Sequence, residues 1–145
     1  TPKPSSAASD VYKRQPWGRI SAIDLNKGEL LWQVAHGETA DNIRNHRLLE
    51  GVDVPRTGRP GRVGTLITKT LVIAGDGGAF TNEEGIEGAM LRAYDKMNGQ
   101  ELGAVYIPQM QTGSPMTYMV DGKQHIVVAV SGGGYGGELV VFRLP

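Results

Sequence analysis

Gly132-x-Gly134-x-x-Gly137 follows an apolar run, a spacing by which a glycine-rich turn can lay backbone N–H groups against a pyrophosphate. That chemistry needs a helix N-terminus behind the glycines. Here Glu138 to Leu144 reads as another strand, so nucleotide binding is set aside. Asp24 and Asp95 are candidates for paired acid–base carboxylates, but they hold matched places in a repeat, which favours identical turn roles. His36, His46 and His125 show none of the short spacings of a metal motif, and His36 and His46 are expected to be solvated in a long loop. Lys69, Lys96 and Lys123 fall in predicted turns, where they would aid solubility. Glu83-Glu84-Gly85-Ile86-Glu87 is acidic, yet lacks the alternating ligands of an EF-hand and reads as an exposed turn. With no cysteine, thiolate metal sites and disulfides are excluded.

The elements that must position these residues are strands. Glycine is abundant at 21 of 145 residues and clusters between short apolar runs, as in chains of many strands joined by tight turns. Fifteen basic residues balance 15 acidic ones, so no net field recruits nucleic acid. Thr1 to Gln15 is polar, lacks periodicity and resembles an adapter-derived peptide; it reads as a disordered, non-native tail with no function. A chain that begins Thr1-Pro2 and ends in a strand at Pro145 also looks cut from a longer protein.

From Pro16 to Pro145 a repeat carries the sequence. Ile20 to Asp24 alternates, Asn26-Lys27-Gly28 turns, and Glu29 to Val34 continues. The phrase returns at Leu91 to Asp95, with a turn at Asn98-Gly99 and a strand from Glu101 to Val105. Ala22 matches Ala93, Asp24 matches Asp95 and Gly28 matches Gly99, all at one spacing. Leu139 to Arg143 is a weaker third copy. Asp accepts hydrogen bonds from the turn, Gly supplies positive φ, and Trp32 would wedge between neighbouring sheets. Gly103 stands where the second copy would carry that Trp. Further strands are predicted at Gly64 to Thr68, Leu71 to Ala74, Pro115 to Val120 and Gln124 to Ser131, with a hairpin turn at Asp121-Gly122-Lys123. Thr39 to Leu49, with Thr39 or Asp41 as a cap, is the best helix candidate but has too few apolar positions. His36 to Arg62 is therefore read as one long excursion. The fold class is all-β, a partial β-propeller.

Ala22-x-Asp24-x-x-x-Gly28-x-x-x-Trp32 resembles the tryptophan-docking repeat of the quinoprotein dehydrogenases. Pro16 to Leu25, and Ser114-Pro115-Met116-Thr117-Tyr118 followed by Asp121-Gly122-Lys123-Gln124, look like the last blades of the membrane-bound quinoprotein glucose dehydrogenase type. The resemblance implies about two blades of an eight-bladed propeller carrying pyrroloquinoline quinone (PQQ) and calcium on its axis, with the glycine-rich loop at 132–137 near that axis. It implies oxidation of an aldose sugar, or of an alcohol, with electrons passing to ubiquinone or a cytochrome. It also implies a periplasmic location, with attachment to the inner membrane through another part of the protein. The family's catalytic base, calcium ligands and stacking Trp lie upstream. No catalytic or metal-ligating residue is therefore assigned, and the piece alone is expected to be inactive. The segment before Thr65 is where the family brings backbone near the cofactor, so Arg62 and Gly64 are the candidate cofactor-binding residues. Arg62-Val63-Gly64 departs from the family's usual Gly-Gly pair there. The rival reading is a noncatalytic propeller of the same repeat type, a scaffold in outer-membrane protein assembly. A plain adaptor propeller is a third.

Overall fold

A computed structural model describes residues 17–82 and 84–145; the assigned tail, Thr1 to Gln15, lies outside them. Among the described residues ten strands make up three antiparallel units. In the first, β1 (Arg19–Asp24) pairs with β2 (Glu29–Ala35), and Ala22 faces Trp32. The second places β3 (Leu66–Ile67), β4 (Leu71–Gly75), β6 (Glu87–Asp95) and β7 (Glu101–Ile107) in that order. A short β5 (Phe80–Thr81), not expected from the sequence, pairs with the start of β6. The third unit orders β8 (Met116–Val120), β9 (Lys123–Gly132) and β10 (Tyr135–Arg143), with β10 at one edge. One blade of four main strands thus lies between a two-strand and a three-strand one.

The middle blade is covered on both faces. Along β6, Ala89, Leu91 and Ala93 pack with Ile73, Ile107, Val128 and Val130 into the apolar core shared with the third blade. Arg92 and Tyr94, on the opposite face, meet residues of the first blade and its long excursion. Period-two alternation predicts one wet face; the stacking of blades dries both, and an arginine is buried as a result.

The repeat phrase does the work assigned to it. Asp24 Oδ1 accepts from the N–H groups of Asn26 and Lys27, and Asp95 Oδ1 from that of Met97. The N–H groups of Gly28 and Gly99 donate to the carbonyls of Asp24 and Asp95. Trp32 lies between the first two blades and donates from Nε1 to the Lys96 carbonyl at 3.0 Å. A Cβ on Gly99 would lie 2.6 Å from the Trp32 ring, so Gly99 serves both its φ of +76° and the docked indole. Lys96 is more than a solubilising turn residue, since its Nζ also donates to the Thr68 carbonyl. Where Gly103 replaces the docking Trp, an apolar cavity of about 440 Å³ opens between the second and third blades, lined by Leu71, Ile73, Ala93, Gly103 and Phe142 among others.

The excursion after β2 contains one helical turn, α1 (Asp41–Arg44), and a 3₁₀ turn at Arg47–Leu49. Neither Thr39 nor Asp41 caps α1: Ala40 holds the cap position, Asp41 pairs with Arg44, and Thr39 Oγ1 accepts from the Thr57 N–H. Asp121 and Gly122 both adopt positive φ in the β8–β9 hairpin, as a two-residue turn of that twist demands. Among the described residues no helix is long and apolar enough to cross a membrane.

Candidate functional site

The segment Gly58-Arg59-Pro60-Gly61-Arg62-Val63-Gly64 runs into β3, and its glycines are where all three blades meet. Gly58 has φ +69°, and a Cβ there would strike the Gly18 and His36 carbonyls. Backbone bonds tie the segment to the first blade, from Arg59 N–H to the His36 carbonyl and from His36 N–H to the Gly18 carbonyl. A Cβ on Gly61 would lie 2.5 Å from Gly77 Cα of the second blade, and one on Gly64 would strike Ser114 before β8. Strand register explains the last contact. Leu66 faces Ile73, which faces Ala93; Met116 faces Val127, which faces Val141. Gly64 and Ser114 each stand two residues before those matched positions, and so hold equivalent places in consecutive blades.

A cleft of about 370 Å³ runs beside this segment, lined by Trp17, Gly18, Arg19, Arg59, Gly61 and Thr65 among others, and among the described residues no carboxylate lines it. Trp17 is 67% exposed. Of the two residues expected to bind cofactor, Gly64 is packed at the junction and Arg62 is exposed on the same segment; the arginines lining the cleft itself are Arg19 and Arg59. Sequence reasoning missed Ser114 and Gln111. Gln111 Nε2 donates to the Gly64 carbonyl and its Oε1 accepts from the Gly75 N–H. The register equivalence would have exposed Ser114; nothing in the run Ile107 to Gln111 marks Gln111.

Behind the junction lies a buried ion cluster. Arg92, 3% exposed, donates through Nε and Nη2 to Asp76, through Nη2 to Glu38 and through Nη1 to Glu101. Arg56 adds a bond to Glu101 at 2.6 Å. Burial disfavours both the Arg92 and Glu101 charges, but the partners outweigh it: Asp76 and the glutamates hold Arg92 above its ordinary value, and the two arginines hold Glu101 below its own. Among the described residues no buried side-chain polar atom lacks a partner, and no three His, Asp or Glu side chains gather to hold a metal.

His36 corrects its expected solvation: it is 4% exposed, because the excursion folds back over the second blade. Its Nε2 lies 3.0 Å from the Gly75 carbonyl, which can only accept, so Nε2 carries the proton. Nδ1 therefore accepts from the Tyr94 hydroxyl at 2.9 Å. His46 is exposed as expected, its Nδ1 accepting from the Leu48 N–H. Burial drives the Tyr94 pKa up and is the main cause lowering that of His36, with the Gly75 bond and Asp76 opposing and Arg92 and Arg56 assisting. A depressed histidine pKa means that the unfolded chain binds the proton first. Stability from this group is complete above about pH 6.5 and falls as pH drops below it, by up to about 1.4 kcal/mol per pH unit until the folded pKa is reached. Urea melts at pH 5.5 and 7.5 check this: His36→Gln is expected to flatten the difference, and an unchanged slope refutes it.

Over residues 5–126 the chain matches the family described as glucose/ethanol/alcohol dehydrogenase, beta-propeller domain. It is similar to quinoprotein glucose dehydrogenase A of Acinetobacter calcoaceticus, 30% identical over 138 residues, or 92% of this chain and 16% of that protein. It is also similar to quinoprotein glucose dehydrogenase of Escherichia coli (strain K12), 32% identical over 141 residues, again 92% and 16%. A probable quinate dehydrogenase (quinone) of Xanthomonas campestris pv. juglandis is 31% identical over 150 residues, 97% of this chain and 17% of the relative. The chain spans about a sixth of the length of these relatives.

Proposed function

Because the chain belongs to the glucose/ethanol/alcohol dehydrogenase β-propeller family, we propose that it supplies the closing blades of a PQQ-dependent oxidoreductase acting on an aldose sugar or another alcohol. One observation supports this most: the family match, residues 5–126, spans both the docking repeat and the junction segment Gly58 to Gly64. When bound, PQQ supplies the two-electron acceptor. This chain's residues bind and orient it. PQQ is a flat tricarboxylate; Arg59 and the Trp17 ring line the cleft, and Arg62 is exposed on the same segment. Arg62 and Gly64 remain the proposed contacts. Arg62 holds a carboxylate through charge-assisted bonds, and Gly64, closed against Ser114, sets where the backbone of that segment runs. In this reading calcium and the base belong upstream of this chain, and other parts of a periplasmic protein make the ubiquinone or cytochrome contact and the attachment to the inner membrane.

The test is full-length protein, purified without cofactor and supplied with PQQ and calcium. Dye reduction with glucose, quinate, glycerol or 1-butanol supports the proposal; failure to bind PQQ and to reduce dye with any of them leaves the noncatalytic scaffold. Arg62→Ala is expected to weaken PQQ binding roughly 10-fold or more, the loss of one charge-assisted bond, with thermal stability unchanged because the residue is exposed. Equal affinity in the variant removes Arg62 from the site.

A further inference from the structure

We infer that Gln111 is a positioning residue for the cofactor site, its carboxamide setting the height of the Gly64 backbone against the blade junction. The inference rests on the PQQ reading above. Gln111 is 2% exposed and its side chain spans two blade-forming segments: Oε1 takes the Gly75 N–H at 2.5 Å and Nε2 reaches the Gly64 carbonyl at 2.8 Å. Which end points where follows from the partners, since an N–H needs an acceptor and a carbonyl needs a donor. Its own N–H donates to the Asp76 carbonyl at 3.0 Å. Asp76 is 1% exposed and held by Arg92. A Cβ on Gly75 would meet Gln111 at 2.8 Å, so strand β4 is shaped to receive this side chain.

The consequence is a rigid chain of contacts from the ion cluster through Gln111 to Gly64, the point where the cofactor segment turns into β3. Bound carboxylates pull on backbone and side chains of that segment; a segment held in place loses less freedom on binding. A donor and an acceptor are both required at this side chain. Met fills the space with neither. Glu keeps the acceptor, and donates to Gly64 only while protonated.

The experiment uses the full-length protein, with PQQ titrated by quenching of intrinsic fluorescence from pH 5.5 to 8.5. Amide exchange of the peptide containing Gly64 is followed without cofactor. Gln111→Met is expected to weaken PQQ about 10-fold and to speed that exchange. Gln111→Glu is expected to match wild type at low pH and to lose affinity, relative to wild type, as the carboxyl ionises. A structural role alone moves stability and leaves that pH-dependent ratio flat. Glu binding equal to wild type at every pH overturns the inference even if the Met variant folds poorly, as does Met binding within twofold of wild type. A wild-type protein that binds no PQQ sinks the cofactor reading itself, and exchange at Gly64 unaltered in both variants then rejects the clamp as well.

Discussion

Arg92→Met is expected to cost about 3–5 kcal/mol of stability, the usual penalty for removing one partner of a buried ion pair. The side chain that matters is the one left behind. Asp76 is 1% exposed and would keep only the Met90 N–H bond, at 3.2 Å, for a carboxylate out of contact with water. Glu38 and Glu101 are partly exposed and rehydrate more cheaply. Guanidinium melts of the full-length protein measure the effect. Adding Asp76→Leu to Arg92→Met is expected to recover part of the loss, because the stranded charge goes with it. A single-variant loss below 1 kcal/mol shows that water reaches Asp76.

Trp32→Ala is expected to cost about 3 kcal/mol, at the lower end for truncating a large core aromatic, because the indole is only partly buried. The same variant breaks the bond to the Lys96 carbonyl that joins two blades. Gly99→Ala tests the docking geometry separately. In wild type the new methyl meets both the φ of +76° and the ring. With Trp32 already removed the backbone strain remains, about 1 kcal/mol, together with a 3.0 Å approach to Val34 Cγ1. The two changes together are therefore expected to cost less than the sum of each alone, a coupling typical of residues in contact. Strict additivity in a double-mutant cycle means that the indole does not sit over Gly99.

The turn of the docking repeat was readable because the jobs of its Asp and Gly are local. An Asp receiving N–H groups two residues on, and a glycine with positive φ, depend on spacing within one turn. The same holds for the Asp121-Gly122 hairpin and for rejecting the 132–137 glycines as a nucleotide loop, since strand β10 starts among them at Tyr135. Gly64 was reachable only through family resemblance. Ser114 was hidden until strand register showed that it holds the same place one blade later.

Sequence alone determined that this chain is strands and tight turns, that its sheets repeat, and that Trp32 docks across them. Tertiary structure alone decided that His36 is dry and bound to Tyr94 and Gly75, that Arg92 is buried among three carboxylates, and that Gln111 holds Gly64. The physical reason is one of range. His36 lies 58 and 39 residues from its partners, Gln111 47 from Gly64, and Arg92 54 from Glu38, the farthest of its three carboxylates. Burial of a polar side chain costs free energy unless such partners arrive, and their arrival depends on how whole blades stack.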